Sequence, residues 1–281
     1  MIIPVIIFFT LFAYYPLVRG FIISLQDFKL IGSASFIGLD NYKKVLSDPV
    51  FWRAMKNTLI IGGGVLIIGF VFPIIIAISL NEVINTVFKK AAQMILYLPH
   101  LFSWVIIGGI WIYLLSPGDG LVNEIIKLFG GKSISFMTTS WMAQPIMIMS
   151  AIWKDMGFLC ILYLAAIVGI NPELYEAAKI DGANRLQQIW RITIPQLIPT
   201  MKTVFILNIM GALKIFDQIF IMRNSAIASK VDVLLLYTYE KGIEQFNMGI
   251  ASAASFILIL ATLILTLIAR RILNYGREDV M

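Results

Sequence analysis

Residues 171–199 read NPELYEAAKIDGANRLQQIWRITIPQLIP, a mostly polar stretch between two long apolar runs. Asn171 is a favourable helix cap, and Pro172 suits the first helical position, where a missing N–H costs nothing. Residues 173–181 favour helix, and Gly182 can adopt the left-handed conformation that ends one. The stretch therefore begins with a short helix that stops at a turn.

A second short helix is expected after this turn, from Ala183 to Ile194. Pro195 and Pro199 should stop it before the next apolar run, because the residue before a proline disfavours helix. Connections between helices are usually a handful of residues long, so the whole 171–199 loop predicts a helix–turn–helix on which another protein docks. The alternative is an amphipathic surface helix with no partner.

The composition places this loop in a membrane protein. Of 281 residues, 59% are hydrophobic and 14% are charged, whereas an ordinary soluble domain has about 25% charged residues. Such a chain is neither disordered nor disulfide-stapled, and a water-soluble enzyme is a poor match. The formal net charge of +6 is typical of ordinary membrane-flanking charge, with anionic lipid or an acidic ligand as the alternatives.

Six apolar stretches are long enough to cross the membrane, which takes about 20 residues. They are Ile2–Leu25, Asn57–Leu80, Ala91–Leu115, Gln144–Ile170, Thr200–Met222 and Met248–Ala269. The first has no basic leader, so it is interpreted as a true span rather than a signal peptide. We predict one all-α integral membrane domain over residues 1–281. Residues 121–129 and 231–239 are too short to cross, and the first of them suits an amphipathic surface helix.

Motifs for catalysis are absent from the sequence. The closest approach to a phosphate-binding GxxxxGK[ST] loop is residues 131–133, but Ile126 stands where the first glycine is needed. His100 is the only histidine, and it is expected to form a hydrogen bond near a helix end; Cys160 is the only cysteine and is expected to pack in the core. We predict no ATPase site, catalytic residue or metal site in this chain.

Charged residues inside two predicted spans point to function, because ionisable groups are costly at membrane depth. Lys154 and Asp155 fall near the middle of the fourth span, and Lys214 and Asp217 fall at similar depth in the fifth. One hypothesis is a wet cavity in which these four groups bind sugar hydroxyls or carboxylates. Further candidates for its lining are Trp153, Asn208 and Trp104. The alternative is that the charges pair with each other or with a second subunit.

The 171–199 loop resembles a motif of a known protein family. Glu176-Ala177-Ala178, Gly182 and Ile192-Thr193-Ile194-Pro195 are similar to the pattern EAA-x3-G-x9-I-x-L-P of ABC importer permeases that depend on a binding protein, with Ile194 in place of Leu. The extended form YEAAKIDGAN resembles the maltose-type carbohydrate-uptake branch. Similar stretches that cover the chain are FIGLDNYKKVL (36–46), NTL (57–59), LPHLFSWVIIGGI (98–110), LLSPGDGLVN (114–123) and WKDMGF (153–158).

The resemblance implies a type I importer permease fold, in which the 171–199 loop contacts a cytoplasmic ATPase. Glu176 is expected to meet a basic group there, and Gly182 to let the two short helices fold back. Tyr175, Ala178 and Ile180 are expected to pack the joint. The predicted ATPase-coupling residues are Tyr175, Glu176, Ala177, Ala178, Asp181 and Gly182. The resemblance also implies that both termini face the cytoplasm, which the balance of loop charges does not decide.

The resemblance further implies a multi-pass location in a bacterial plasma membrane and a set of partners. These are a second permease subunit, in a heterodimer, two cytoplasmic ATPases that hold ATP and Mg²⁺, and an extracytoplasmic solute-binding protein. Outer loops 26–56 and 223–247 are the expected docking surface for the binding protein. The favoured substrate is an oligosaccharide from plant or algal polysaccharide, uronate-containing ones included.

Two other classes of membrane protein are alternatives. A secondary transporter driven by an ion gradient would favour an inverted repeat with broken helices at matching positions, and the sequence shows no convincing internal similarity. A membrane-embedded enzyme would need a paired nucleophile and base, for which the sequence offers no motif. A secondary transporter also leaves the 171–199 loop unexplained.

Overall fold

The computed structural model describes residues 2–29 and 34–275. Three parts of the predicted architecture lie outside the described residues: Met1, residues 30–33 of the predicted docking loop, and the tail at 276–281. Within the described part the chain is mostly helical. Its two short strands, β1 (Gln26–Asp27) and β2 (Ser35–Phe36), pair antiparallel with Gln26 opposite Phe36.

Thirteen helices, numbered in chain order, account for most of the described residues. They are α1 (Ile3–Ser24), α2 (Asp40–Ser47), α3 (Pro49–Asn81), α4 (Thr86–Leu101), α5 (Trp104–Leu114), α6 (Leu121–Leu128), α7 (Ser140–Val168), α8 (Pro172–Ile180), α9 (Arg185–Ala212), α10 (Asp217–Met222), α11 (Ala228–Val231), α12 (Leu234–Tyr239) and α13 (Met248–Ile272). A 3₁₀ turn at Phe136–Thr138 and π-helical turns at Thr10–Tyr14, Ile189–Thr193 and Glu240–Glu244 complete them.

Five of these helices are long and apolar enough to span a membrane: α1, α3, α7, α9 and α13. The pair α4 and α5 passes the same test together, which makes up to six spans in the described chain. Each of the six predicted apolar stretches therefore corresponds to one helix or one helix pair. Residues 121–128 form the separate short helix α6, as predicted.

The third predicted span differs from a straight helix. It is divided between α4 and α5, which are bent by 104° at a short break. Phe102 and Ser103 at this break have extended backbone, with ψ of 148° and 159°. Because Lys154 of α7 donates a hydrogen bond to the carbonyl of His100, that carbonyl has a partner outside its own helix. The bend is thus stabilised by a contact with another span.

The fifth span corrects two sequence predictions. Pro195 and Pro199 do not stop the preceding helix, because α9 runs unbroken from Arg185 to Ala212. The π-helical turn Ile189–Thr193 ends two residues before the first proline, and its wider hydrogen-bonding pattern accommodates the missing N–H. The helix is interrupted instead at residues 213–216, inside the stretch that was predicted as one continuous span.

The helices α3 and α7 form the centre of the bundle and pack along most of their length. Glycine allows the closest approaches. A Cβ on Gly157 of α7 would collide with the carbonyl of Leu96 in α4, and one on Gly62 of α3 would collide with the carbonyl of Ala212 in α9. Small residues at helix contacts are typical of membrane bundles, where packing replaces the hydrophobic effect as the driving force.

The bundle exposes much of its apolar surface. The most apolar part of α1 has no buried residue, and this helix packs mainly along α13, where Phe21 and Phe256 lie edge to face at 5.3 Å. An outward face of this kind is costly in water and suits contact with lipid. The structure therefore agrees with a membrane environment.

At the end opposite the 171–199 loop, short helices are folded into the bundle. Asn57 of α3 donates to the carbonyls of Ser229 and Asp232 at 3.2 and 3.0 Å. Thr58 accepts the backbone N–H of Leu234 at 2.8 Å. These bonds hold α11 and α12 against α3, so residues 231–239 pack in the core rather than cross the membrane. Val231, Val233, Leu234, Leu236 and Tyr237 are all buried there.

Candidate functional site

A cavity of about 240 Å³ opens where the two interrupted spans meet. The halves that follow each break, α5 and α10, pack against each other, which brings the two breaks together. Irregular backbone is tolerated at membrane depth only where protein or a water-filled cavity satisfies its polar groups. The polar residues of the lining are Asp155, Asn208, Lys214, Asp217 and Gln218, with Trp104 beside them.

Four of the six residues that the sequence suggested for the substrate path line this cavity: Asp155, Asn208, Lys214 and Asp217. Trp104, a further candidate, also lines it. Trp153 and Lys154 do not. Trp153 lies edge-on to Trp111, with 6.1 Å between the ring centroids.

Lys154 does not face the cavity but is buried in a contact between helices. The residue is 9% exposed, and its ammonium donates to the carbonyl of His100 at 3.0 Å. The same ammonium lies 5.8 Å from the centre of the Trp104 ring, within cation–π range. Lys154 therefore joins α7 to both sides of the bend between α4 and α5.

Lys214 and Asp217 are open to the cavity and exposed. Neither has a hydrogen-bond or ion-pair partner among residues 2–29 and 34–275. They lie at the break of the fifth span, where the amide of Lys214 closes a turn on the carbonyl of Gly211 at 2.9 Å. An ammonium and a carboxylate that are both unpaired can bind acidic, hydroxyl or amide groups of a ligand.

Sequence reasoning missed two residues of this site. Gln218 is buried and donates to the carbonyl of Met147 and, at 2.7 Å, to the hydroxyl of Ser150, so it anchors the second break to α7. His100 lies near a helix end, as predicted, but its Nδ1 lies 2.9 Å from the Oδ1 of Asp155. The sequence separation of 55 residues gave no local indication of this pair.

The 171–199 loop forms the predicted helix–turn–helix. Asn171 caps α8 by accepting the N–H of Glu173 at 3.0 Å, and Gly182 has φ of +78°. The amide of Ala183 donates to the carbonyl of Ala178 at 2.8 Å, which gives α8 a left-handed glycine termination. Asn184 and Gln187 then start α9 with a reciprocal capping box, at 2.8 and 2.9 Å.

The contact between the two helices involves fewer residues than predicted. Tyr175 and Ala178 are half-buried, and the Tyr175 hydroxyl lies 2.9 Å from that of the buried Thr193. The prediction that Ile180 packs this joint is wrong, because this residue is 86% exposed. Ile180 is the last residue of α8, directly before the turn.

The outer face of the loop carries exposed apolar and acidic groups. Glu176, Ala177, Asp181 and Gly182 are exposed, as are the large side chains Ile180, Leu186 and Trp190. Glu176 has no ion-pair partner in the described part of the chain. Exposed apolar residues beside an unpaired carboxylate are suited to a protein contact.

Known proteins match this sequence over almost its full length. The family model described as binding-protein-dependent transport system inner membrane component matches residues 69–275. A Bacillus subtilis relative named polygalacturonan/rhamnogalacturonan transport system permease protein YteP is 36% identical, over 100% of this chain and 88% of its own. The arabinooligosaccharides permease AraP of Bacillus subtilis is 30% identical, over 96% of this chain and 86% of its own.

Solved structures have the same fold. A chain of a bacterial alginate ABC transporter, solved with an alginate pentasaccharide-bound periplasmic protein, is 35% identical. It covers 99% of this chain and 93% of its own length, with a TM-score of 0.91. The resemblance read from the sequence is thereby confirmed. The chain belongs to the family of binding-protein-dependent transport system inner membrane components and is a multi-pass permease component of an ABC transporter.

Proposed function

We propose that this chain is one of two permease subunits of an ATP-driven importer of acidic oligosaccharides. Lys214 carries the proposal, because its ammonium is unpaired within the described chain and faces the cavity between the two broken spans. A lysine binds a carboxylate through a charge-assisted hydrogen bond, which is roughly twice as strong as a neutral one. Relatives named for polygalacturonan and alginate, both acidic polymers, support the same substrate class.

The other lining groups suit the uncharged parts of such a substrate. Asn208 can donate to and accept from sugar hydroxyls, and Asp217 accepts from them. The Trp104 side chain offers a flat apolar surface to a sugar ring. The second permease, a different chain in a heterodimer, is proposed to complete the path across the membrane.

The energy is proposed to come from two cytoplasmic ATPase subunits, which bind ATP and Mg²⁺; this chain holds neither. They contact the exposed face of the 171–199 loop, with Glu176 paired to a basic group of the ATPase. This places both termini in the cytoplasm of a bacterial cell. The 26–56 and 223–247 loops then face outward, where they dock the binding protein that delivers the substrate.

The test is uptake by the complete transporter, reconstituted in proteoliposomes with its binding protein. Lys214→Gln should lower kcat/KM for a short oligogalacturonate by about tenfold or more, since hydrogen bonds to charged groups contribute about 1.5–3 kcal/mol. Uptake of a neutral oligosaccharide of equal length should change less than about twofold. Lys214→Arg should keep most of the acidic uptake. Lys132→Gln, at an exposed lysine outside the cavity and outside the 26–56 and 223–247 loops, is the matched control.

The same assay separates the other functional classes. Uptake should require ATP and persist when ionophores have removed every ion gradient. Transport that follows a gradient without ATP would indicate a secondary transporter. If Lys214→Gln lowers acidic and neutral uptake equally, the proposal that the substrate is acidic is contradicted.

A further inference from the structure

One side chain next to the cavity has no role in the proposed function. His100, in the last turn of α4, contacts Asp155 and Phe158 on consecutive turns of α7. Its Nδ1 lies 2.9 Å from the Oδ1 of Asp155, and its ring stacks on that of Phe158 with centroids 4.6 Å apart and planes 8° apart. Its backbone carbonyl accepts a hydrogen bond from the Lys154 ammonium at 3.0 Å. The imidazole is therefore held in one orientation, toward a carboxylate of the cavity wall.

From this arrangement we infer that His100 is a positioning and specificity residue for acidic substrates, acting through Asp155; this rests on the proposed function. Asp155 faces the cavity that also holds Lys214. A protonated imidazole compensates the carboxylate charge, whereas a neutral one only forms the hydrogen bond. Without that compensation Asp155 repels an anionic sugar and leaves a neutral sugar unaffected.

Other charged groups surround the pair of His100 and Asp155. The Lys154 ammonium lies on the backbone carbonyl of His100, and Lys214 and Asp217 line the same cavity as Asp155.

An effect that depends on histidine can be assigned to His100, because it is the single histidine of the chain. The variants are His100→Gln, which keeps a hydrogen-bond donor but carries no charge, Asp155→Asn, and the double variant. Each is assembled into the complete transporter and assayed with an oligogalacturonate and a neutral oligosaccharide of equal length. Neutral uptake and its ATP hydrolysis show that each complex is folded and coupled.

His100→Gln should raise KM for the acidic probe by about fivefold to tenfold, as one uncompensated charge at roughly 10 Å does in an intermediate dielectric. Neutral uptake should stay within about twofold. Adding Asp155→Asn should restore acidic uptake, because the repelling charge is gone.

Two results would overturn the inference: equal loss of acidic and neutral uptake in His100→Gln, or no recovery in the double variant. Either would reduce the pair to a helix contact. The proposed function fails in a different way, since the wild-type complex itself would then not import the acidic probe.

Discussion

The hydroxyl groups of Tyr175 and Thr193 lie 2.9 Å apart and connect the two arms of the 171–199 loop. Tyr175 belongs to α8, whose outer face is exposed. Thr193 belongs to α9, which continues to the cavity at Asn208 and the break beyond it. The bond is thus a direct link between the surface proposed for the ATPase and the helix that carries the proposed substrate contacts.

Removing this link should weaken coupling without removing the helices. Tyr175→Phe deletes one oxygen from a half-buried site, and a hydrogen bond of this kind contributes about 0.5–1.5 kcal/mol. We expect less sugar transported per ATP hydrolysed, with basal ATP hydrolysis little changed. Thr193→Val should have a similar effect, and the double variant should be no worse than either single one. Additive losses would show that the two hydroxyls do not act together.

Gly182 should tolerate substitution in proportion to how well the new residue adopts a positive φ. A Cβ at this position meets nothing within 4 Å, so the effect of Gly182→Ala is backbone strain of about 1–2 kcal/mol rather than a collision. Asn adopts this conformation more readily than Ala. ATPase stimulation and co-purification with the ATPase should therefore decrease in the order Gly, Asn, Ala. An alanine variant that matches wild type would contradict the role of this turn.

Two neighbouring glycines of α3 provide a matched test of the packing. A Cβ at Gly62 would meet the backbone of Ala212, whereas one at Gly63 meets nothing within 4 Å. Gly62→Ala should lower the melting temperature of the purified protein, as overpacking typically costs about 1–3 kcal/mol. Gly63→Ala should be neutral or stabilising by up to about 1 kcal/mol, through helix propensity. Equal effects would mean that α3 and α9 do not approach as closely as described.

An acidic cluster at the opposite end of the bundle should make stability depend on pH. Arg223 donates to Glu240 at 2.6 Å and to Asp232 at 3.4 Å. Burial raises the pKa of Asp232 above its ordinary value of 3.8, and the nearby Arg223 only partly offsets this. As pH rises, the unfolded chain therefore ionises first, and the contribution of Asp232 to stability falls between the ordinary and the raised pKa.

The measurement is the melting temperature of wild type and Asp232→Asn between about pH 4 and 6. As pH rises, the melting temperature of the asparagine variant should increase relative to that of wild type. Asp119→Asn, at an exposed carboxylate of the same end, should show no such trend. If the melting temperature of wild type instead increases relative to that of Asp232→Asn, ionised Asp232 stabilises the fold.

Local features of this protein could be predicted from local sequence. Asn171, Pro172 and Gly182 each act on the backbone within a few residues, and their cap, first-turn and left-handed positions follow from capping rules alone. The apolar stretches similarly determined the number of spans, because a bilayer sets the length that a span needs. Depth along a helix was enough to bring Asp155, Lys214 and Asp217 to one level.

Contacts between distant segments could not be predicted in this way. The bend after His100 depends on Lys154, and the buried anchor at Gln218 depends on Ser150, each from another span. Lys154 and Asp155 looked equivalent in the sequence, yet only Asp155 lines the cavity. The π-helical turn before Pro195 likewise depends on how the whole fifth span is held, and a proline rule cannot foresee it.

The most direct test of the account asks whether the 171–199 loop touches an ATPase. A single cysteine is placed at the exposed Ala177 in a Cys160→Ala background, since Cys160 is the only natural cysteine. In the assembled transporter, a short bifunctional reagent should cross-link the Ala177→Cys variant to an ATPase subunit, and the yield should change with ATP. Ala226→Cys, at the opposite end, should give no such product. An Ala177→Cys variant whose thiol reacts with a water-soluble reagent in the full complex, yet gives no cross-link in any nucleotide state, would contradict the account.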